Sequence, residues 1–300
     1  MRGWPLKMLI LLLFLSSLSL WAGRGRPGIR VATTTSLYET GLLEYLAERY
    51  LEKGGKPVAF LPSGTGTALL SAKRGEADLL LVHAPPLERK FMEEGYGERK
   101  VAIAYNFFLI VGPPGDPAGC EDLPPLEALS RIVLAGRGGR ARWVSRGDLS
   151  GTHIRENLLW REAGFDPEEL MMEGWYLEAG AGMGQTLLLA SEKGAYTLSD
   201  LGTFLKYRKE GLVQLKPMTE RGKGLLNVYS AIVVNPRRVK GANFEGAVEF
   251  LGFLLSEEGQ ELIGKFGVEE YGSPLFFPVV GLENSDPELA VWLREVWGEG

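Results

Sequence analysis

Apolar positions along the chain fall into two rhythms. Short continuous runs at Ile29 to Thr33, Pro57 to Leu61 and Asp78 to Val82 have the length and aliphatic content of buried strands. Between them, Leu42, Leu43, Leu46, Tyr50 and Leu51 recur at helical spacing up to the stop at Gly54-Gly55, and Ala68 to Arg74 predicts a second helix closed by Gly75. Ser36 and Glu39 stand at the spacing of a capping box, which sets a helix start directly after the first strand. Strand, helix, strand, helix, strand is the order of a parallel α/β sheet. In open sheets of that kind a ligand lies beyond the carboxyl ends of the strands.

Tyr105 to Val111 is a further apolar strand that stops at Gly112-Pro113-Pro114-Gly115, read here as a crossing into a second lobe. Within that lobe, Arg131 to Ala135, Arg142 to Ser145 and Gly194 to Thr197 read as strands, and His153 to Ala163 and Gly184 to Lys193 as helices. Leu225 to Val234 is apolar again and carries the chain back. Phe244 to Phe266 reads as helical with a break at Ser256. The expected architecture is α/β and bilobal, with two extended hinge crossings. Lobe 1 is discontinuous, 28–112 plus 228–300, and lobe 2 is 113–227.

Residues 1–22 stand apart. Arg2 and Lys7 precede an apolar stretch from Met8 to Leu20, with Ala22-Gly23 where cleavage would fall, the layout of a secretory signal peptide. The stretch is short for a membrane span; an uncleaved N-terminal anchor is the other reading. Either way an exported protein is expected, periplasmic or at the cell surface. The single cysteine, Cys120, excludes an intramolecular disulfide. The net charge of −5, about −7 without Arg2 and Lys7, argues against nucleic acid and anionic membrane as partners. It leaves an anionic ligand open, since a buried site acts through local dipoles.

Four clusters of small and hydroxyl residues fall where helices should begin: Thr33 to Ser36, Ser63 to Gly66, Ser150 to Thr152 and Gly180 to Gly184. The first turn of a helix has free N–H groups and partial positive charge, and small residues let an anion approach it. Arg146 adds a planar, permanent cation just before the third cluster. Each cluster has a plainer reading: a helix cap at Ser63 to Gly66, an Arg146–Asp148 ion pair, close helix–sheet packing at Gly180 to Gly184, and lobe-interface packing for Met183. Catalytic signatures are sparse. No Gly-x-Ser-x-Gly elbow, His-Glu-x-x-His motif, cysteine pair or Walker loop is present. The two histidines, His83 and His153, read as structural imidazoles, and no cofactor is implied.

In these segments the chain resembles the tungstate-binding proteins of tungstate ABC importers. The resemblance is carried by Thr33 to Ser36, Gly64-Thr65-Gly66 with Ala68-Leu69, Gly75-x-Ala77-Asp78 running to His83-Ala84, and Tyr105-Asn106. It continues through Val111-Gly112-Pro113, Asp116-Pro117-Ala118, Ser145 to Asp148, Ser150 to His153, Gly182-Met183-Gly184, Ala195 to Leu198 with Asp200, and Asn235-Pro236. It implies a type II periplasmic-binding-protein fold that closes on a tetrahedral oxyanion. The binding positions it implies are Thr34, Thr35, Ser36, Gly64, Thr65, Arg146, Ser150 and Thr152; Ser63, Gly151, Gly182 and Met183, from the same clusters, complete the candidate ligand set. Departures from the family pattern stand at Leu149, Ala181, Leu201, Phe107 and Val228, where an acidic residue, Gln, Arg, Asp and Pro are usual.

The function expected is therefore capture of tungstate, or molybdate, for delivery to a membrane permease by a monomeric binding protein that is not an enzyme. A sulfate or phosphate carrier is the rival in the same class, with Asp148 as the acceptor that a protonated phosphate would need. An exported ester hydrolase using Ser150 and His153, and an anion sensor without transport, are rivals from other classes.

Overall fold

The computed structural model describes residues 28–148 and 150–298. The signal-peptide expectation and Leu149 lie outside the described residues. In chain order the elements are β1 (Ile29–Thr34), α1 (Thr35–Tyr38), α2 (Leu42–Glu52), β2 (Val58–Ser63), α3 (Thr65–Lys73), β3 (Leu79–Val82), α4 (Pro85–Glu93) and β4 (Gly97–Gly112). There follow α5 (Pro125–Arg137), β5 (Trp143–Ser145), α6 (Gly151–Glu162), α7 (Pro167–Leu170), β6 (Tyr176–Glu178), α8 (Met183–Lys193), β7 (Thr197–Asp200), α9 (Leu201–Lys209) and β8 (Lys216–Thr219). The chain ends with β9 (Leu226–Val234), α10 (Phe244–Leu255), α11 (Glu257–Lys265), α12 (Val268–Tyr271), β10 (Phe277–Pro278), α13 (Leu282–Ser285) and α14 (Pro287–Trp297).

The first lobe is a sheet of order β10-β4-β9-β3-β1-β2. β1 is parallel to β2 and β3, whereas β9 runs antiparallel to β3 and β4. Side chains alternate between two buried faces. Val31, Leu79, Leu81, Ala231 and Val233 pack with α2, α10 and α11; Ala32, Leu80, Val82, Ile232 and Val234 pack with α3 and α4. Burial of both faces is why these strands read as unbroken apolar runs.

The second lobe uses the far half of β4. Phe108 to Val111 pair with β7, and Ile110 to Gly112 with β8. β5 and β6 form a parallel pair joined to this group through a Trp143–Tyr196 bridge. Phe107 still pairs with Leu226 of β9, so β4 changes partners between Phe107 and Phe108. The first crossing thus lies inside the strand, and the Gly112-Pro113 turn expected to mark it belongs to the second lobe's sheet. An extended strand can pass from one sheet to the next without a turn, because its two halves pair independently.

Two local expectations are corrected. Arg131 to Ala135 is helical, within α5: Ala128, Leu129, Ile132, Val133 and Gly136 are buried while Leu134 is 66% exposed, a 3.6-residue stripe and not a strand's alternation. Pro125 opens this helix at its first turn. The Ser36–Glu39 capping box does not form. Thr34 is the N-cap of α1 and accepts the Leu37 N–H, and Glu39 already stands at that one-turn helix's C-cap. Ser36 is left to face elsewhere.

Candidate functional site

Four helices begin around one cavity of about 740 Å³ between the lobes. Their N-caps are Thr34 (α1), Gly64 (α3), Ser150 (α6) and Gly182 (α8). All four are extended, with φ between −80° and −63° and ψ between 145° and 170°. That conformation turns the chain sharply into a helix and leaves the first N–H groups unpaired by the helix itself. α1 and α3 follow β1 and β2; α6 and α8 enter from the second lobe.

Each of the twelve binding positions expected from sequence lines this cavity: Thr34, Thr35, Ser36, Ser63, Gly64, Thr65, Arg146, Ser150, Gly151, Thr152, Gly182 and Met183. The glycines divide by what surrounds them. A Cβ added at Gly64 or Gly182 would meet nothing within 4 Å, so it would project into open space. Both have negative φ, so backbone strain does not demand glycine there. Gly184 differs: a Cβ would lie 2.0 Å from Tyr207 Oη. Close packing thus accounts for Gly184, against the helix α9, and does not account for Gly182. Met183 is 6% exposed and sits among the second lobe's core residues while also reaching the cavity wall.

Arg146 is tied to Asp148 through Nε at 3.0 Å and Nη2 at 2.5 Å, and Nη1 lies 3.5 Å from Thr152 Oγ1. The ion pair and the cavity cation are therefore one arrangement, in which the carboxylate orients the guanidinium. Asp148 Oδ1 also accepts the Ser150 N–H at 3.1 Å. Burial pushes the Asp148 pKa up, but hydrogen bonds from Ser150 and Arg146 and the Arg146 charge outweigh it and hold the carboxyl below its ordinary range. Both its oxygens are occupied as an ionised acceptor.

Sequence reasoning missed His83, Asp200, Lys206 and Tyr207 as cavity-lining residues. His83 follows β3, the third parallel strand, and that position beyond a strand's carboxyl end was the available signal. Its Nε2 lies 3.3 Å from Ser36 Oγ and its Nδ1 3.0 Å from Asn227 Oδ1. The turn behind it is pinned by buried Glu88, which accepts the Ala84 N–H at 2.6 Å and is bonded by Ser230 Oγ at 2.6 Å and Lys100 Nζ at 3.2 Å. Asp200 caps α9, accepting from Thr203 N at 2.8 Å and Thr203 Oγ1 at 2.9 Å.

Ser150 accepts the His153 N–H at 3.3 Å, the bond of a helix cap, and the His153 ring is buried with Nε2 3.2 Å from Asn157 Nδ2. No group of three or more metal-ligating side chains occurs among the described residues.

The PBP superfamily domain matches residues 22–258. The tungstate-binding protein TupA of Peptoclostridium acidaminophilum is 39% identical over 255 residues, covering 85% of this chain and 87% of that protein. The chain belongs to the tungstate-binding protein family of the PBP superfamily. Among solved structures of that family, TupA from Desulfovibrio alaskensis G20 superposes with a TM-score of 0.77 at 38% identity, over 83% of this chain and 98% of the other. The tungstate ABC transporter structure from Geobacter sulfurreducens gives 0.68 at 37% identity, over 79% and 98%. The bilobal PBP fold expected from the resemblance is the fold present. No helix among the described residues is long and apolar enough to cross a membrane.

Proposed function

We propose that this protein captures tungstate in the cleft between its lobes and presents it to an ABC permease, acting as an exported, monomeric binding protein and not as a catalyst. The observation that carries this reading is the convergence of four helix N-caps and one guanidinium on a single cavity walled by glycine, serine and threonine. Helix N-termini exchange an anion's water shell for fixed N–H donors and partial positive charge. Hydroxyls of Thr34, Thr35, Ser36, Ser63, Thr65, Ser150 and Thr152 add donors that rotate to suit. Arg146 contributes the formal charge, aimed by Asp148. Closure of the two lobes on the ion excludes water and strengthens these bonds.

Selectivity follows from donor spacing and from the engagement of Asp148. Sulfate is smaller than tungstate, so a cage matched to tungstate leaves some donors beyond its oxygens. Phosphate carries a proton near neutral pH and needs an acceptor; Asp148, the candidate for that role, is already engaged by Arg146 and Ser150. This supports tungstate or molybdate over phosphate.

Titration calorimetry with tungstate, molybdate, sulfate and phosphate tests the reading. Tungstate is expected to bind most tightly, or level with molybdate, and Arg146→Ala to weaken every dianion at least tenfold, about 1.4 kcal/mol or more. Equal or tighter phosphate binding would overturn the ligand assignment. Arg146→Ala affinity within about threefold of the parent, roughly 0.65 kcal/mol, would remove Arg146 from the site.

A further inference from the structure

A directional chain of hydrogen bonds runs from the strands that join the lobes into the cavity wall. It starts at the Leu275 carbonyl, which can only accept, so Asn106 Nδ2 donates to it at 3.2 Å. Asn106 Oδ1 is then an acceptor, and Asn227 Nδ2 donates to it at 3.0 Å and to Tyr229 Oη at 2.8 Å. Asn227 Oδ1 is thereby turned to His83 Nδ1 at 3.0 Å, which must carry the proton. In the neutral imidazole Nε2 is consequently a bare lone pair, 3.3 Å from Ser36 Oγ. Asn106 and Asn227 are partners across β4 and β9, one residue from where β4 changes sheets.

The consequence for an anion is electrostatic. With His83 neutral, the one Ser36 proton has two acceptors inside the wall, His83 Nε2 and Thr34 Oγ1 at 3.4 Å, and the hydroxyl turns lone pairs to the cavity. With His83 protonated, Nε2–H donates to Ser36 Oγ, and the serine proton is free to meet an anion oxygen. Of the acidic groups around the cavity, Asp200 favours the protonated ring. Asp200 acts on it from the start of α9, Glu39 and Glu270 line the cavity from α1 and α12, and Glu88 lies behind the turn, paired to Lys100. Against them stand Lys206 on α9, and Arg146, neutralised in part by Asp148, beside Gly151, whose Cβ position is 3.7 Å from His83 Cε1. The Tyr229 ring lies against the imidazole, tilted by 31° with centroids 5.0 Å apart. Arg146 and Lys206 are the fixed cations of the cavity lining, and His83 is the group there whose charge can change near neutral pH.

We propose that His83 is a ligand-positioning residue, and that each oxyanion captured brings one proton onto its imidazole. The inference rests on the oxyanion reading above. In the empty cavity, burial lowers the His83 pKa below its ordinary value against the raising effects of the Asn227 hydrogen bond and Asp200, so the ring is neutral at physiological pH. A dianion alongside raises it. Between the two values affinity falls as pH rises, by up to about tenfold per pH unit; below both values it is flat.

The test is calorimetry of the whole protein with sodium tungstate in two amine buffers of different ionisation enthalpy, from about pH 6.5 to 8.5. The expected result is a binding heat that depends on buffer with the slope of proton uptake approaching one, and affinity that declines with pH. In His83→Gln both dependences are expected to vanish. Tight binding with buffer-independent heat in the parent protein would overturn this inference alone, as would proton uptake that persists in His83→Gln. Failure of every oxyanion to bind at any pH would withdraw the oxyanion reading itself.

Discussion

At the scale of single residues, the cavity is defined as much by missing atoms as by donors. Gly64 and Gly182 occupy extended N-cap positions that any residue can adopt, with vacant space where a Cβ would stand. Neither backbone strain nor packing requires glycine there, and on the proposed reading the vacant space lets an anion approach the helix start. Gly182→Ala is expected to lower tungstate affinity tenfold or more in calorimetry. Its unfolding free energy should change by no more than about 1 kcal/mol, the scale of an N-cap preference. A variant that binds as the parent does would remove this turn from the site. Of the residue-level readings, the hydroxyl and glycine clusters were legible because cap chemistry is local. His83 was not, because its position after β3 was the one signal it carried; its partners Ser36, Asn227 and Gly151 are distant in the chain.

At the scale of elements, β1, β3, β9, α6 and α8 follow directly from runs and periods. α5 did not, because its Arg131 to Ala135 segment is aliphatic and short enough to pass for a strand. Its burial distinguishes the two. A strand would hide Ile132 and Leu134 on one face and turn Val133 away; the helix buries Ile132 and Val133 together and exposes Leu134. Ile132→Asp and Val133→Asp are each expected to cost about 3 kcal/mol or more through a buried unpaired charge, whereas Leu134→Asp stays within about 0.5 kcal/mol. Chemical denaturation of the three variants measures this, and a destabilised Leu134→Asp with an unaffected Val133→Asp would refute the helix. The same limit explains the absent capping box. Ser36 and Glu39 have the right spacing, but Thr34 takes the N-cap and the helix ends after one turn.

At the scale of the whole molecule, a ligand held by both lobes stabilises the folded state by mass action. Tungstate at 100 times its dissociation constant is expected to add about 2.7 kcal/mol, which raises the unfolding temperature by roughly 5 to 10 °C for a chain of this size. Sulfate at the same concentration should give a much smaller shift. Differential scanning fluorimetry checks both, and an unfolding temperature indifferent to tungstate would count against capture between lobes.

The order of strands and helices from β1 to β3, the positions of several helix starts and the chemistry gathered there were determined by the sequence alone, because apolar period and cap preference act over a few residues. Tertiary structure decided what lies far apart in the chain. It set the first crossing inside β4, between Phe107 and Phe108, where the strand passes from one set of partners to the next, and it brought four helix starts from two lobes to one cavity. It also set His83 at the end of a hydrogen-bond chain from Leu275, through Asn106 and Asn227, to Ser36. Those outcomes depend on pairing and burial between segments from tens of residues to well over a hundred residues apart, which no local pattern encodes.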